Sequence, residues 1–321
     1  MGFDQNTALV AYDDPLALLS LGVEGCALWP FVVAANGPSY RPVGALMAIS
    51  VQGKRQGSLS SGSVEDDITR HALDALEKGQ MRLLKYGKGS LYFDITLPCG
   101  GGLEILLLPR PDGAVIKALA AQLSARQAAV LCLNLSTGAM RFDPNDQITG
   151  SFERQGDILK LRYLPPLRFL TFGKGPEAVS FPALTQTCGY AGILVTPDAE
   201  TAQIAGELGV QTQVFSAPPL ALDTLSIDAR CAILLFFHDH DFEPPLLAAA
   251  LRTKAFYIGA QRSRLARQNR DQALLEFGVT ADQTLRLHGP IGLIASARDP
   301  RVLAVSVLAE VLAIAQSADA A

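Results

Sequence analysis

The chain has 321 residues, of which 49% are hydrophobic and 18% charged; that balance excludes a disordered polypeptide and, at about 100–200 residues per domain, points to two domains. A net charge of −4, from 27 basic and 31 acidic residues, offers no basic face and argues against nucleic acid as a partner. Five cysteines, an odd number with no C-x-x-C pair, argue against a disulfide framework or a zinc knuckle and fit a reducing, cytoplasmic setting.

Residues Met1 to Asp14 lack the basic start and apolar core of a signal peptide. The run Val302 to Ile314 is interrupted by Ser306 and Glu310 and is shorter than the roughly 20 apolar residues of a membrane span. No membrane is expected among the partners.

Cys26 to Ala35 reads as a buried strand that stops at the Asn36-Gly37-Pro38 turn. Ala45 to Val51 predicts a second strand and Gly57 to Ser61 a short third. Ser63 can cap a helix over Val64 to Lys78, whose first turn carries Glu65, Asp66 and Asp67, where the helix dipole favours acids. Leu91 to Leu97 and Leu103 to Leu108 predict strands on either side of Pro98-Cys99-Gly100-Gly101-Gly102. Ala114 to Ala128 predicts a helix. Ala129 to Leu135 and Ile158 to Tyr163 predict short strands, and Pro165-Pro166 divides the chain into 1–165 and 166–321.

The second half alternates strand and helix. Strands are predicted at Arg168 to Phe172, Gly192 to Thr196, Gln211 to Phe215, Cys231 to Phe237 and Ala255 to Ile258. Helices are predicted from the Gly173-Lys174-Gly175 turn to Cys188, then at Ala199 to Leu208, Pro244 to Arg252, Arg262 to Phe277 and Pro300 to Ala315. Such alternation implies a parallel sheet covered on both faces. The fold class is therefore α/β, an N-terminal α/β domain followed by a Rossmann-like parallel-sheet domain.

Four segments carry candidate chemistry. Gly173-Lys174-Gly175-Pro176-Glu177-Ala178 sits between strand and helix, where a glycine-rich turn can present N–H groups to a phosphate. The acid expected at the end of the next strand for a ribose is replaced by Thr196, with Asp198 two residues late, and Glu177 would repel a pyrophosphate. His238-Asp239-His240-Asp241 follows an apolar strand; it could ligate a metal, or form a polar loop at the carboxyl edge of the sheet. Cys99 beside three glycines is either an approachable thiol or a small apolar residue in a turn. The other four cysteines read as core. Ser60-Ser61-Gly62-Ser63 is either an anion-holding turn or a helix cap. His71 and His288 show no partner in sequence.

Taken together, these segments resemble the XdhC/CoxI family, accessory factors of xanthine dehydrogenase and related molybdenum hydroxylases. The resemblance rests on Gly37-Pro38-Ser39-Tyr40-Arg41-Pro42-Val43-Gly44, on Gly57 to Glu65, on Pro98 to Gly101, and on His238 to His240. It extends through Leu246 to Leu251, Tyr257 to Ala260, Pro290 to Leu293 and Ala304 to Glu310. It implies an XdhC-type domain over 1–165, a Rossmann domain over 166–321, and a non-catalytic chaperone. Such a factor binds molybdenum cofactor (molybdopterin), holds it while a cysteine desulfurase supplies sulfur, and delivers it to a hydroxylase such as xanthine dehydrogenase. The implied cofactor-binding residues are Cys99, Gly100, Gly101, Ser61, Gly62, Ser63, Gly173, Gly175, His238, Asp239 and His240, and a homodimer is expected. Ser63 stands where the family has a cysteine, which leaves Cys99 as the thiol able to touch molybdenum or sulfur. An NAD(P)-binding oxidoreductase and a metal-dependent hydrolase are the competing functions.

Overall fold

The structure is a computed structural model that describes residues 18, 28–60, 62–88, 100–216, 222, 224–237, 242–261 and 273–320. Contacts divide the chain into two compact units between Pro165 and Pro166.

The N-terminal unit is built on a five-stranded antiparallel sheet of order β3-β2-β1-β5-β4. Its strands are β1 (Leu28–Asn36), β2 (Ala48–Ile49), β3 (Arg55–Gln56), β4 (Arg82–Gly87) and β5 (Gly102–Pro109). Helix α1 (Gly62–Lys78) covers one face: Val64, Ile68, Ala72 and Ala75 meet Leu28, Val32, Ile105 and Leu107. The other face, with Trp29, Phe31, Leu106 and Leu108, meets helix α2 (Gly113–Ser124) and a second sheet. That sheet has order β7-β6-β9-β8, from β6 (Ala129–Asn134), β7 (Met140–Phe142), β8 (Phe152–Gln155) and β9 (Ile158–Tyr163). Because β1 is buried on both faces, its sequence is a continuous apolar run rather than an alternating one.

The C-terminal unit holds a six-stranded, wholly parallel sheet of order β12-β11-β10-β13-β14-β15. The strands are β10 (Arg168–Gly173), β11 (Ala191–Thr196), β12 (Thr212–Val214), β13 (Cys231–Phe236), β14 (Tyr257–Ala260) and β15 (Leu287–His288). Helix α3 (Pro176–Thr187), helix α4 (Ala199–Glu207) and the long α7 (Pro300–Ala320) share one face through Phe181, Ala205, Leu303, Val307 and Val311. Helix α5 (Glu243–Leu251) covers the other through Leu246, Leu247 and Leu251. A short α6 (Ala281–Thr284) precedes β15 and opens with a capping box between Thr280 and Gln283. Strand β10 is central, which is the Rossmann-like arrangement expected from sequence.

Several expectations are corrected. The third strand is Arg55–Gln56, not Gly57 to Ser61. Gly57 adopts a left-handed φ of 89°, and the Glu65 carboxylate accepts hydrogen bonds from the amides of Leu59 and Ser60, which leaves them no ladder partner. Helix α2 stops at Ser124 because Arg126 turns to a φ of 63°. Strand β14 starts two residues later than expected, after a turn in which Thr253 Oγ1 accepts from Ala255 N. Strands β4, β7, β8 and β15 carry no clear sequence alternation that would announce them. The C-terminal apolar stretch belongs to a 21-residue helix, long and apolar enough by composition to cross a membrane. Its apolar face packs on the parallel sheet, and its Ser306 and Glu310 hold loop amides, as a core helix does. The expected strand Leu91 to Leu97 and most of the expected helix Arg262 to Phe277 lie outside the described residues.

Candidate functional site

In a parallel sheet, ligands bind where strand order reverses, at the carboxyl ends of the two strands that diverge. Here those strands are β10 and β13, paired in register with Gly173 opposite Phe236. The Gly173-Lys174-Gly175 turn leaves the end of β10. Phe237, buried beside Phe236, ends the described part of the β13 exit, and His238, Asp239, His240 and Asp241 follow it in the chain outside the described residues.

The turn is tightly determined. A Cβ on Gly173 would meet Phe236 O at 2.5 Å and the Ala178 side chain at 2.9 Å, so only glycine lets α3 approach the sheet here. Gly175 has a φ of 84° at the N-cap of α3. Two of the turn's amides are already engaged within the protein. Lys174 N donates to Phe236 O at 3.3 Å, Gly175 N donates to Thr201 Oγ1 at 3.0 Å, and Pro176 has no N–H. Thr201 passes the contact on, its hydroxyl donating to Asp198.

Asp198, the late candidate for a ribose contact, is the N-cap of α4. The hydroxyl and amide of Thr201 hold its carboxyl below the usual carboxylate range. Thr196 is fully buried, and its hydroxyl accepts from Asp198 N at 3.1 Å. The open cleft of about 540 Å³ beside the turn has Pro176, Val179 and Ile204 as apolar walls, with Lys174, Asp198 and Glu200 as the charged residues of its described lining. Two carboxylates against one ammonium, together with the engaged Lys174 and Gly175 amides, count against a dinucleotide pyrophosphate bound in the usual manner.

In the N-terminal unit, Gly100 to Gly102 stand where three segments meet. Gly102 pairs with Asn36 of β1 and with Gly87 of β4. A Cβ on Gly101 would collide with the carbonyl oxygen of Pro38, and one on Gly102 would meet Lys88 O at 2.6 Å. Gly100 is exposed, with a φ of 68° and open space where a side chain would be. Gly101 is thus packed against the Gly37-Pro38 turn and Gly102 against Lys88, which brings together segments far apart in sequence. Cys99 and Ser61 lie outside the described residues; Gly62 and Ser63 are exposed in the first turn of α1. The donors nearest that turn are already used, because Glu65 Oε1 accepts from Ser58 Oγ at 2.6 Å and from Leu59 N at 3.2 Å. The segment behaves as a helix start with its own internal anion.

Of the remaining cysteines, Cys132 and Cys231 are buried as expected. Cys188 is exposed, correcting its assignment to the core: it caps the C-terminus of α3 on the solvent side. Burial and a hydrogen bond to Asp146 push the Cys132 thiol up. Among the described residues, no three His, Cys, Asp or Glu side chains converge as a metal site would require.

Both histidines found without partners in sequence have them. His71 lies 3.6 Å from Asp67, one turn earlier on α1. His288 stacks on Tyr257, with ring centroids 4.4 Å apart and planes at 15°. Tyr257 in turn donates to Glu310 Oε1 at 2.7 Å, and Gly292 N donates to Glu310 Oε2. Nothing local in the sequence marks Tyr257 as the partner of Glu310. The available signal was Glu310 as the one charged residue in Val302 to Ile314.

The family profile described as the XdhC Rossmann domain matches residues 169–311, and that of the XdhC and CoxI family matches residues 27–87. The chain is 30% identical over 307 residues to the molybdenum cofactor insertion chaperone PaoD of Escherichia coli (strain K12), covering 94% of this chain and 89% of the relative. It is 22% identical over 308 residues to a Bacillus subtilis (strain 168) protein named as a probable subunit of xanthine dehydrogenase, covering 88% of this chain and 91% of that one. Its fold is similar to that of a crystal structure described as a xanthine dehydrogenase from Bacillus halodurans. That match has a TM-score of 0.77 and 21% identity, and covers 94% of this chain and 96% of the other. The profiles fall on both units and the PaoD similarity runs nearly end to end: the chain belongs to the XdhC and CoxI family.

Proposed function

We propose that this protein is an accessory factor that binds molybdenum cofactor as cargo and delivers it, after sulfuration, to a molybdenum hydroxylase of the xanthine dehydrogenase type. The observation that carries this reading is the 30% identity, over 94% of the chain, to a relative named as a molybdenum cofactor insertion chaperone. A cysteine desulfurase would supply the sulfur, the working form would be a homodimer in the cytoplasm, and the chain itself would turn over no substrate. The functional division would be an XdhC-type domain over 1–165 and a Rossmann domain over 166–321.

The packing of Gly101 on Pro38 and of Gly102 on Lys88 supports a cradle for the cargo. Glycines there hold backbone within reach of a ligand that side chains would exclude. In this reading Cys99 offers the soft ligand, since thiolate suits molybdenum and sulfur chemistry. Gly100, Gly101, Ser61, Gly62 and Ser63 would form the walls around it. Gly173, Gly175, His238, Asp239 and His240 would be a separate contact of the C-terminal unit, at its own switch point. An NAD(P)-dependent oxidoreductase is disfavoured by the occupied amides of Lys174 and Gly175 and by the engagement of Asp198 with Thr201.

Incubating the purified protein with isolated molybdenum cofactor and then with an apo-hydroxylase tests the reading. Retention of cofactor through gel filtration, followed by gain of hydroxylase activity, is expected. Failure to retain it, or transfer no faster than from free cofactor, would contradict the reading.

A further inference from the structure

Helices α3 and α4 lie side by side on one face of the parallel sheet, each running back from the carboxyl end of the strand before it. Two contacts fix their spacing. At one end Gly175 N, at the head of α3, donates to Thr201 Oγ1 in the first turn of α4 at 3.0 Å. At the other end the Gln186 side chain lies against Gly209, which has a φ of 80°. The furrow between the helices holds two clefts. One is the cleft of about 540 Å³ walled by Pro176, Val179 and Ile204; the other, of about 240 Å³, has Pro182, Gln186, Gly209 and Val210 in its lining. Helix α3 has 12 residues, so the furrow runs for about 18 Å.

The α4 wall leaves large apolar side chains in water. Ile204 is 45% exposed and Leu208 57% exposed, and they stand one turn apart on the same side. An apolar furrow between two helices accepts the apolar face of a third.

The charge around this furrow has one sign. The 55 residues from Gly175 to Ala229 include six acids and no lysine, arginine or histidine, whereas the rest of the chain has 27 basic against 25 acidic residues. The negative charge of the molecule is therefore concentrated in this part of the C-terminal unit. Glu200 and Glu207 are exposed on α4, four residues before and three after Ile204, and Asp198 caps the same helix. Lys174 is the one base in the described linings of the two clefts.

These features define the occupant. A second copy presenting the same face would set acid against acid across a two-fold axis. A partner surface that is basic and carries apolar anchors matches both the charge and the exposed aliphatic side chains.

We infer that the furrow between α3 and α4 is a docking site for a basic amphipathic helix of a partner protein, with Ile204 and Leu208 meeting its apolar face and Glu200 and Glu207 its cations. The inference stands on the furrow, its exposed apolar wall and its charge, and not on the cargo reading.

The test uses the full chain and, as probe, a fluorescein-labelled leucine–lysine peptide of about 14 residues, patterned as an amphipathic helix. Two peptides of equal length serve as controls, one with glutamate in place of lysine and one of lysine alone. Saturable binding of the leucine–lysine peptide, read by fluorescence anisotropy and weakened by added salt, is expected. Oligolysine should bind more weakly and the glutamate peptide not at all. Ile204→Ser and Leu208→Ser should each weaken binding about fivefold, the scale of apolar area lost from a half-buried anchor. Glu200→Lys combined with Glu207→Lys should weaken it about tenfold. An equal charge change, Glu276→Lys with Asp282→Lys, falls on exposed residues that lead into β15, the opposite edge strand, and should leave binding unchanged. All six side chains are exposed, so thermal midpoints should stay near that of the wild type. Absent binding, a control peptide that binds as tightly as the probe, or α4 variants that bind like the wild type would overturn the inference. Equal weakening by the two charge reversals would overturn it as well, since it would mark a response to net charge alone.

Discussion

Tyr257 and Glu310, 53 residues apart in sequence, share a hydrogen bond of 2.7 Å that ties the first residue of β14 to the middle of α7. The second oxygen of Glu310 takes the amide of Gly292, so one carboxylate anchors both the sheet and the loop after β15. Three segments that carried the family resemblance, Tyr257 to Ala260, Pro290 to Leu293 and Ala304 to Glu310, thus converge on one side chain. Tyr257→Phe removes a donor to a charged acceptor and should cost about 1.5–3 kcal/mol. Glu310→Ala, which also orphans the Gly292 amide, should cost more. Urea midpoints of the two variants check the order; equal costs would mean that the Gly292 bond contributes nothing.

Acid sensitivity should begin near neutrality. Burial lowers the pKa of both His71 and His288 below 6.5, against the pull of Asp67 on the first and Glu310 on the second. Each histidine therefore binds its proton more readily in the unfolded chain. Their contribution to stability is complete above about pH 6.5 and is lost as pH falls from there toward the folded-state values. His288→Phe keeps a ring against Tyr257 and removes one titration. Its thermal midpoint should fall less steeply than that of the wild type below pH 6.5; an unchanged slope would remove His288 from the account.

Neighbouring glycines should respond very differently. Gly101→Ala drives a methyl group into the Pro38 carbonyl and should destabilise by about 1–3 kcal/mol, as overpacking does. Gly100→Ala meets no atom within 4 Å and should incur only the cost of its left-handed backbone, about 1 kcal/mol. Denaturant unfolding of the pair distinguishes a packed run from a loose one.

The glycine turn of the C-terminal unit should not behave as a dinucleotide site. Asp198→Ala removes the N-cap of α4 and should cost about 1 kcal/mol. Neither NAD+ nor NADP+ should raise the thermal midpoint of the wild type. A rise that Thr201→Val abolishes would restore the oxidoreductase reading.

The C-terminal unit was largely legible because strands buried on both faces are apolar throughout and alternate with helices at regular spacing. Cys231–Phe236 is the clearest example. The N-terminal unit was harder to read. Strand β8, Phe152–Gln155, is mostly exposed and gives no periodic signal. Strand β15, in the other unit, has only two residues and exists through its pairing with β14. The segments of the candidate site were visible, but their meetings were not. Nothing local in sequence says that Pro38 lies on Gly101, or that the apparent phosphate turn spends its Gly175 amide on Thr201. Those contacts depend on strand pairing and helix placement set far away in the chain.

The central claim is that the chain carries molybdenum cofactor through Cys99. Molybdenum per chain, in protein isolated from cells that make the cofactor, tests it most directly when the wild type is compared with Cys99→Ser at matched thermal midpoints. The account predicts molybdenum on the wild type and loss of most of it from Cys99→Ser, with little change in stability. Equal molybdenum on both, or none on the wild type, would contradict it.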